Sequence, residues 1–233
     1  YYAYYIGQGM ISWDERVKNT GKPQIIDLLK DKTDELNQDI YEKFSDDLFA
    51  TTQANDTIQS LPTIISTSTY AGIASADASR WVASFVDATE TRLVLYGSST
   101  SLAKAINSCT FGKSKPTIIV TTRDLYNKAE SLVEPQMRYQ DTTMANMGFT
   151  TVKFHGIPIG GDAKCPSGYM FLIDTDKFEL RYHPDYNFKP TAWTNLIQAG
   201  FPNAMVKVVS WAGNHVCRMR QTSGVFSALD YTK

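Results

Sequence analysis

The chain contains 233 residues, of which 42% are hydrophobic, and this is enough to bury a substantial core. Its 24 acidic and 23 basic residues give a formal net charge of −1, with no large block of one sign. Charge therefore indicates neither a nucleic-acid surface nor a membrane surface. No stretch approaches the ~20 consecutive apolar residues of a membrane span, and the first residues lack the pattern of a signal peptide. We expect a soluble protein with no membrane partner.

The three cysteines, Cys109, Cys165 and Cys217, are odd in number and far apart in the sequence. None belongs to a CxxC pair. This spacing favours reduced thiols over a disulfide framework and predicts synthesis in the cytoplasm.

Residues 1–13 alternate large side chains with small or polar ones, which predicts a strand. Gly7 and Gly9 interrupt the pattern and predict a bend or bulge within an extended arm. The chain opens at Tyr1 without Met, in the middle of this pattern. Further residues are therefore expected upstream.

A long amphipathic helix is predicted over residues 23–49. Pro23 suits the first turn, and apolar residues recur at helical spacing from Ile25 to Leu48. At ~1.5 Å per residue such a helix is about 40 Å long.

The middle of the chain predicts alternating short elements. Residues 61–67 predict an edge strand interrupted at Pro62, and residues 98–108 predict a short helix with Leu102 and Ile106 inward. A buried strand is expected at 116–120, followed by a helix over 121–133 that Thr122 caps.

From Gly148 onward the pattern predicts strands. Hairpin strands are expected on either side of His155-Gly156, and further elements are predicted at 169–173, at 178–182 and, as a strand pair broken at Gly213-Asn214, at 204–223. Helices and strands together define an α+β fold class.

The sequence contains only weak indications of a metal-binding or catalytic site. His155, Asp162, Cys165 and His183 combine the side chains that bind zinc, which would suit a metal-dependent hydrolase. Their spacing matches no familiar site, and turns and cores use the same residue types. Gly160-Gly161-Asp162 lacks the following helix of a phosphate loop. We predict no catalytic residue, no cofactor and no metal.

Five segments in order carry a resemblance to a known family. They are the aromatic start, GKPQIIDLLKDKTDEL, IIVTTRDLYNKAESLVEPQMRY, GFTTVKFHGIPIGGDAKCPSGYMFLIDTDKFELRYHPD and MVKVVSWAGNHVCRMRQTSGVFS. Together they resemble the major capsid proteins of tailed bacteriophages, which have the Hong Kong 97-type coat fold. The resemblance runs essentially from end to end.

The resemblance implies a shell subunit and not an enzyme. It implies self-assembly through pentamers and hexamers into the icosahedral head that encloses double-stranded DNA, with non-specific DNA contact and with scaffold, portal or cement proteins as further partners. The implied location is the virion, after synthesis in the bacterial host. An encapsulin-like nanocompartment shares the fold and is the alternative.

The resemblance also implies a domain order. In such coats an amino-terminal arm and the outgoing strand of an extended loop precede the segment that begins here, so the chain is expected to be a fragment without them. The expected regions are an extended-loop strand at 1–17, a peripheral domain at 18–69 with its spine helix at 23–49, an axial domain at 70–203, and return strands of the peripheral domain at 204–233.

Subunit contacts are expected from the first strand. An extended arm can pair its edge with an adjacent chain. The side chains predicted to make these contacts are Tyr2, Tyr4, Ile6, Ile11 and Trp13. The alternative is that they pack within their own subunit.

Overall fold

The structure is a computed structural model. It describes residues 2–18, 22–74, 76–78, 80–137, 152–196 and 204–230, and the side chains of residues 13, 16, 22–27 and 134–137 lie outside that description. The chain forms two compact units, each built from separate stretches of sequence. Unit 1 comprises Tyr1–Leu48, Gln53–Gln59 and Leu180–His215, and unit 2 comprises Phe49–Thr52, Ser60–Glu179 and Val216–Lys233.

The described elements are mixed helix and strand, as the α+β prediction requires. The helices are α1 (Trp13–Lys18), α2 (Lys22–Leu48), α3 (Leu61–Ile64), α4 (Leu102–Ser108) and α5 (Arg123–Met137). The strands are β1 (Ala3–Ile11), β2 (Phe85–Asp87), β3 (Thr91–Arg92), β4 (Ile118–Thr121), β5 (Lys153–Phe154), β6 (Ile157–Gly161), β7 (Met170–Ile173), β8 (Phe178–Tyr182), β9 (Lys189–Pro190), β10 (Thr194–Asn195), β11 (Met205–Cys217), β12 (Gly224–Phe226) and β13 (Leu229–Asp230). Among the described residues, no helix is both long enough and apolar enough to cross a membrane.

Unit 1 is organised by β11. This strand pairs with β1 on one side, and β8, β9 and β10 also pair with it. The long helix α2 covers the sheet, which confirms the predicted helix to within one residue at each end. The core between helix and sheet contains Leu36, Ile40, Tyr5, Val209 and Trp211.

β1 is a regular strand of this sheet. It pairs antiparallel with β11 over all nine residues, from Ala3 opposite Gly213 to Ile11 opposite Met205. The predicted bend at the glycines is therefore wrong. The structure explains Gly7 by close packing, because a Cβ there would lie 2.6 Å from Ile40 Cδ1 on α2. The segment after the strand, predicted as extended, is the helix α1.

β11 is one continuous strand of 13 residues. The predicted strand pair with a break at Gly213-Asn214 is therefore wrong. Gly213 lies inside the strand. The residue there is glycine because a Cβ would be 2.5 Å from the carbonyl oxygen of Arg181 and 2.6 Å from the Trp211 ring. This glycine therefore allows the Arg181 backbone and the Trp211 ring to pack closely against β11, and it does not mark a turn.

Unit 2 contains a six-stranded sheet in the order β2-β12-β7-β4-β6-β5. β4 pairs parallel with β6, and α5 lies between them in sequence. Thr122 caps α5 as predicted, since its hydroxyl accepts from the backbone N–H of Leu125 at 3.3 Å. The predicted hairpin is present at β5 and β6, where His155 and Gly156 both have positive φ, of 51° and 79°. Residues 149–151 of its predicted first strand lie outside the described residues.

The predicted edge strand at 61–67 is wrong. Residues Leu61–Ile64 form the short helix α3, with a proline in its first turn. Leu61 and Ile64 are both buried. A single helical turn buries both side chains on one face, whereas the proline lacks the N–H that a strand ladder needs.

The predicted regions divide between the two units, since residues 49–52 and 60–69, predicted as peripheral, lie in unit 2 with part of the predicted axial region. Residues 180–196, predicted to be axial, belong with unit 1 because β9 and β10 pair with β11 there. Residues 216–230, predicted as peripheral return strands, belong with unit 2 because β12 pairs with β2 and β7.

Candidate subunit interface

The outward face of β1 carries a row of exposed apolar side chains. Tyr4 is 65% exposed, Ile6 73% and Met10 54%, and Tyr2 is exposed just before the strand. Because side chains alternate along a strand, these residues share the face opposite α2. We call Tyr2, Tyr4, Ile6 and Met10 the apolar row. Contiguous exposed apolar surface is typical of sites where proteins associate.

Some of the predicted contact residues are exposed in the structure and one is buried. Tyr2, Tyr4 and Ile6 lie in the apolar row and are open to solvent. Ile11 is 1% exposed, because the strand alternation turns it toward the interior of unit 1. Its prediction as a contact residue is therefore corrected to a core residue. The side chain of Trp13 lies outside the described residues.

Met10 was missed by the sequence analysis. Tyr4, Ile6 and Met10 all lie at even positions of the strand, and this spacing could have identified Met10. The bulge expected at the glycines would have shifted Met10 to the other face, so the spacing was not applied beyond them. A regular strand places all three side chains on one face.

The backbone groups of β1 point alternately to the two edges of the strand. In the described part of the chain, β11 is its one strand partner. On β11, the carbonyls of Ala212 and Val208 accept hydrogen bonds from His183 and Thr191, away from β1. Residues opposite them in an antiparallel pair also point their backbone groups away from the shared ladder. Every second residue of β1 therefore faces the edge away from β11, namely Tyr4, Ile6, Gln8 and Met10.

One flank of α2 carries exposed carboxylates at helical spacing. Glu35, Asp39, Glu42 and Asp46 are all exposed and recur at intervals of three or four residues. Glu35 pairs with Lys32 at 2.8 Å. Residues at such intervals share one face of a helix. We call these four residues the acidic stripe.

The acidic stripe lies on the flank of α2 that faces away from Phe188. The opposite flank contacts the β9 side of the sheet, where Tyr41 and Phe44 have ring centroids 5.4 Å and 6.4 Å from that of Phe188. Leu36 and Ile40, between the two flanks, lie against Gly7 of β1. Since successive residues are ~100° apart around a helix, Glu35 and Asp39 project to the side away from Phe188.

The chemistry-bearing residues of the sequence have local structural contacts. The ring of His155 stacks on that of Phe154 at 4.5 Å, and Asp162 accepts from the backbone N–H of Lys164 at 2.8 Å. Nδ1 of His183 accepts from the backbone N–H of Asp185 at 3.2 Å. Within the described ranges, no three His, Cys, Asp or Glu side chains are placed to hold a metal ion.

The thiols are buried and poorly suited to nucleophilic chemistry. Burial raises the pKa of Cys109 to about 12. Burial, helped by the charge of Asp162, raises the pKa of Cys165 to about 12, and burial raises that of Cys217 to about 11. A thiol must ionise to act as a nucleophile, so these three groups are unreactive near neutral pH.

Comparison with solved structures identifies the fold. The chain is similar to the capsid protein of cyanophage A-1(L), with 18% identity, a TM-score of 0.66, and coverage of 97% of this chain and 77% of that one. It is similar to the capsid of Myoviridae phage XM1, with 12% identity, a TM-score of 0.60, and coverage of 98% and 74%. It is also similar to the holo-SrpI encapsulin complex of Synechococcus elongatus PCC 7942, with 10% identity, a TM-score of 0.66, and coverage of 100% and 75%.

No protein-family model and no curated protein sequence matches the chain. The structural similarity nevertheless extends over nearly all of it. The chain is an α+β protein with the Hong Kong 97-type coat fold, the fold implied by the sequence resemblance. Its structural neighbours are chiefly capsid proteins of tailed phages.

Proposed function

We propose that the chain is the major capsid protein of a tailed bacteriophage. Its function is to assemble with copies of itself into the icosahedral head that encloses the double-stranded DNA genome. The observation that carries this proposal is the similarity to phage capsid structures over 97–98% of the chain. In this role the protein is structural and catalyses no reaction.

The two units correspond in this proposal to the two domains of a coat subunit. Unit 1, with α2 as the spine helix, is the peripheral domain, and unit 2 is the axial domain. The apolar row on β1 contacts a neighbouring subunit. Many such modest contacts, repeated around a closed shell, stabilise it together.

The protein is located in the virion and is synthesised in the cytoplasm of the bacterial host. Its principal partner is itself, in pentamers and hexamers. Scaffold, portal and cement proteins are further proposed partners. Contact with packaged DNA is non-specific, since phosphate contacts by scattered Lys and Arg carry no sequence information.

An encapsulin-like nanocompartment is the second candidate. The observation that favours it is the encapsulin neighbour, which matches all of this chain at a TM-score of 0.66. The two functions differ in what the shell encloses. A phage head contains DNA, whereas a nanocompartment contains protein cargo.

Sedimentation velocity of the full-length product of the gene tests the proposal. Shell-sized particles, or discrete pentamers and hexamers, are the expected result. A monomer at every concentration contradicts shell formation. Nuclease-protected DNA inside particles isolated from the native host identifies a phage head, and a co-purifying cargo enzyme identifies a nanocompartment.

A further inference from the structure

A tyrosine and a histidine of unit 2 form an exposed hydrogen-bonded pair. The hydroxyl of Tyr96 and Nε2 of His155 lie 3.2 Å apart. Tyr96 is 48% exposed, and His155 is also exposed. The two residues are distant in the sequence, so the fold of unit 2 brings them together. The pair lies outside both the buried core of unit 2 and the apolar row on β1.

Two turns hold the pair in place. In the hairpin that joins β5 to β6, His155 has a φ of 51° and Gly156 a φ of 79°. Few residues other than glycine adopt positive φ, and they keep it where the surrounding structure determines it. Tyr96 follows the buried Leu95 and precedes Gly97, whose φ is 82°. Each side chain is therefore carried on a backbone that the fold fixes.

The ring of Phe154 orients both partners. The imidazole of His155 stacks on this ring, with a centroid distance of 4.5 Å and an interplanar angle of 23°. The ring of Tyr96 also contacts it, at a centroid distance of 5.3 Å. Phe154 is 3% exposed and belongs to the hydrophobic core of unit 2. One buried ring thus positions an exposed phenol and an exposed imidazole against each other.

This arrangement has the parts of an activated nucleophile. A hydroxyl attacks more readily when a base within about 2.6–3.2 Å accepts its proton and a third group orients that base. With its proton on Nδ1, the imidazole of His155 accepts the hydrogen bond from Tyr96 at Nε2. The hydroxyl is the nucleophile in this assignment, Nε2 is the base, and Phe154 is the orienting group.

We propose that Tyr96 and His155 form a nucleophile–base pair, and that the Tyr96 hydroxyl is the preferred site at which an activated acyl donor modifies this protein. Oη of Tyr96 bonds to the acyl carbon, and the bond from that carbon to the leaving group breaks. Nε2 of His155 accepts the phenolic proton and then gives it to the leaving group. The imidazole ends neutral, nothing is oxidised or reduced, and the product is an aryl ester at Tyr96. This inference goes beyond the proposed function and does not depend on it.

Acetylation by N-acetylimidazole tests the proposal, with imidazole as the leaving group. The sample is the full-length protein as unassembled subunits, and peptide mass spectrometry gives the rate at each tyrosine. Tyr182 and Tyr186 are internal controls, because they are 49% and 50% exposed. We expect Tyr96 to react about tenfold faster than either control, since a positioned base accelerates such steps by ~10²–10⁴ in enclosed sites and by less in an exposed one.

The variant His155→Asn removes the base and keeps a residue type that tolerates positive φ. We expect acetylation of Tyr96 to fall to the rate of Tyr182, while the rate at Tyr182 itself stays unchanged. Hydroxyl-radical footprinting of Tyr96 should also stay unchanged, because it depends on exposure and not on a base. Lys153→Gln is the matched control, since it alters another exposed residue of the same hairpin and should leave every rate as it was.

Equal acetylation of Tyr96, Tyr182 and Tyr186 in the wild-type protein would overturn the proposal without any variant. Acetylation of Tyr96 at the wild-type rate in a folded His155→Asn variant would also overturn it, because another feature would then account for the reactivity. Circular dichroism verifies the fold of the variant. Sedimentation tests shell formation separately, so failure of the nucleophile–base pair leaves the proposed function intact, and failure of assembly leaves the pair intact.

Discussion

The hydroxyl of Tyr5 donates a hydrogen bond to Asp47 Oδ2 at 2.7 Å, and this bond joins β1 to the end of α2. The same hydroxyl accepts from the backbone N–H of Ile58 at 3.1 Å. Asp47 is buried, and its other carboxylate oxygen accepts from Lys43 at 2.8 Å. One phenol thus satisfies a buried carboxylate and a buried amide, and it fixes the strand that carries the apolar row.

Tyr5→Phe should destabilise the protein by about 1–3 kcal/mol, because it leaves a buried acceptor and a buried donor without this partner. The free energy of unfolding, measured by urea denaturation, provides the test. Tyr4→Phe is the matched control, since Tyr4 lies on the exposed face. If the two variants are equally stable, the hydroxyl of Tyr5 does not hold β1 in place.

Gly7→Ala should destabilise the protein by about 1–2 kcal/mol, because the added methyl group overpacks a buried contact. The new Cβ would lie 2.6 Å from Ile40 Cδ1, whereas a Cβ at Gly9 would have its nearest neighbour at 3.6 Å. Thermal unfolding should therefore show a loss for Gly7→Ala and little change for Gly9→Ala. Adding Ile40→Val, which removes the Cδ1 atom, should recover part of the loss.

Arg220 should be intolerant of replacement by lysine. Its guanidinium is buried and donates to the carbonyls of Ile64, Ser66, Ser68 and Trp81, at 2.6–3.0 Å. An ammonium group cannot reproduce this fork of donors. We expect Arg220→Lys to cost about 3 kcal/mol or more in unfolding free energy, because several buried carbonyls lose a charged donor.

The control for this variant is Arg218→Lys. The side chain of Arg218 is 63% exposed and pairs with Glu179 at 2.5 Å. Exposed ion pairs contribute at most about 1 kcal/mol. Equal losses for the two lysine variants in denaturant titrations would contradict the structural role assigned to Arg220.

Acid should destabilise unit 1 through His215. Burial lowers the pKa of this histidine below its ordinary value of 6.5, and the hydrogen bond to the Gln59 carbonyl opposes the shift only in part. The unfolded chain therefore takes up a proton at higher pH than the folded chain. Stability from this residue is present above pH 6.5 and is lost as the pH falls below that value.

The free energy of unfolding, measured between pH 5 and 8, tests whether acid removes the stability that His215 contributes. The difference between wild type and His215→Gln should change by at most ~1.4 kcal/mol per pH unit for one proton. Glutamine cannot ionise, so the variant should lose less stability on acidification. A variant with the same pH dependence as wild type would show that His215 makes no such contribution.

Ile6→Lys should weaken subunit association, because it places a charge in the middle of the apolar row. Val17→Lys is the matched control, since Val17 is an exposed apolar residue outside the row. Light scattering of the assembling full-length protein measures both variants. Loss of assembly in Val17→Lys alone would contradict the assignment of the interface to β1.

Periodic elements of the fold were predictable from sequence. The helix α2 followed from apolar residues at helical spacing, and α5 followed from the stripe of Leu125 and Ala129 after the Thr122 cap. The hairpin at His155-Gly156 also followed from local turn chemistry. These elements were confirmed because each was determined by residues close together in the chain.

Glycines caused two of the errors. Gly7 and Gly213 were interpreted as local breaks, but both permit close packing by residues far away in sequence, Ile40 and Arg181. Tertiary contacts of this kind leave no local pattern. The position of β1 at the outside of the described sheet was equally hidden, because it depends on β11 pairing with β1 on one side and with other strands on its opposite side.

Electron microscopy of the full-length gene product, purified at high concentration, tests the central claim most directly. The account predicts closed icosahedral shells, or rings of five and six subunits, with unit 1 and unit 2 recognisable in each subunit. A stable, monodisperse monomer under every assembly condition would contradict it.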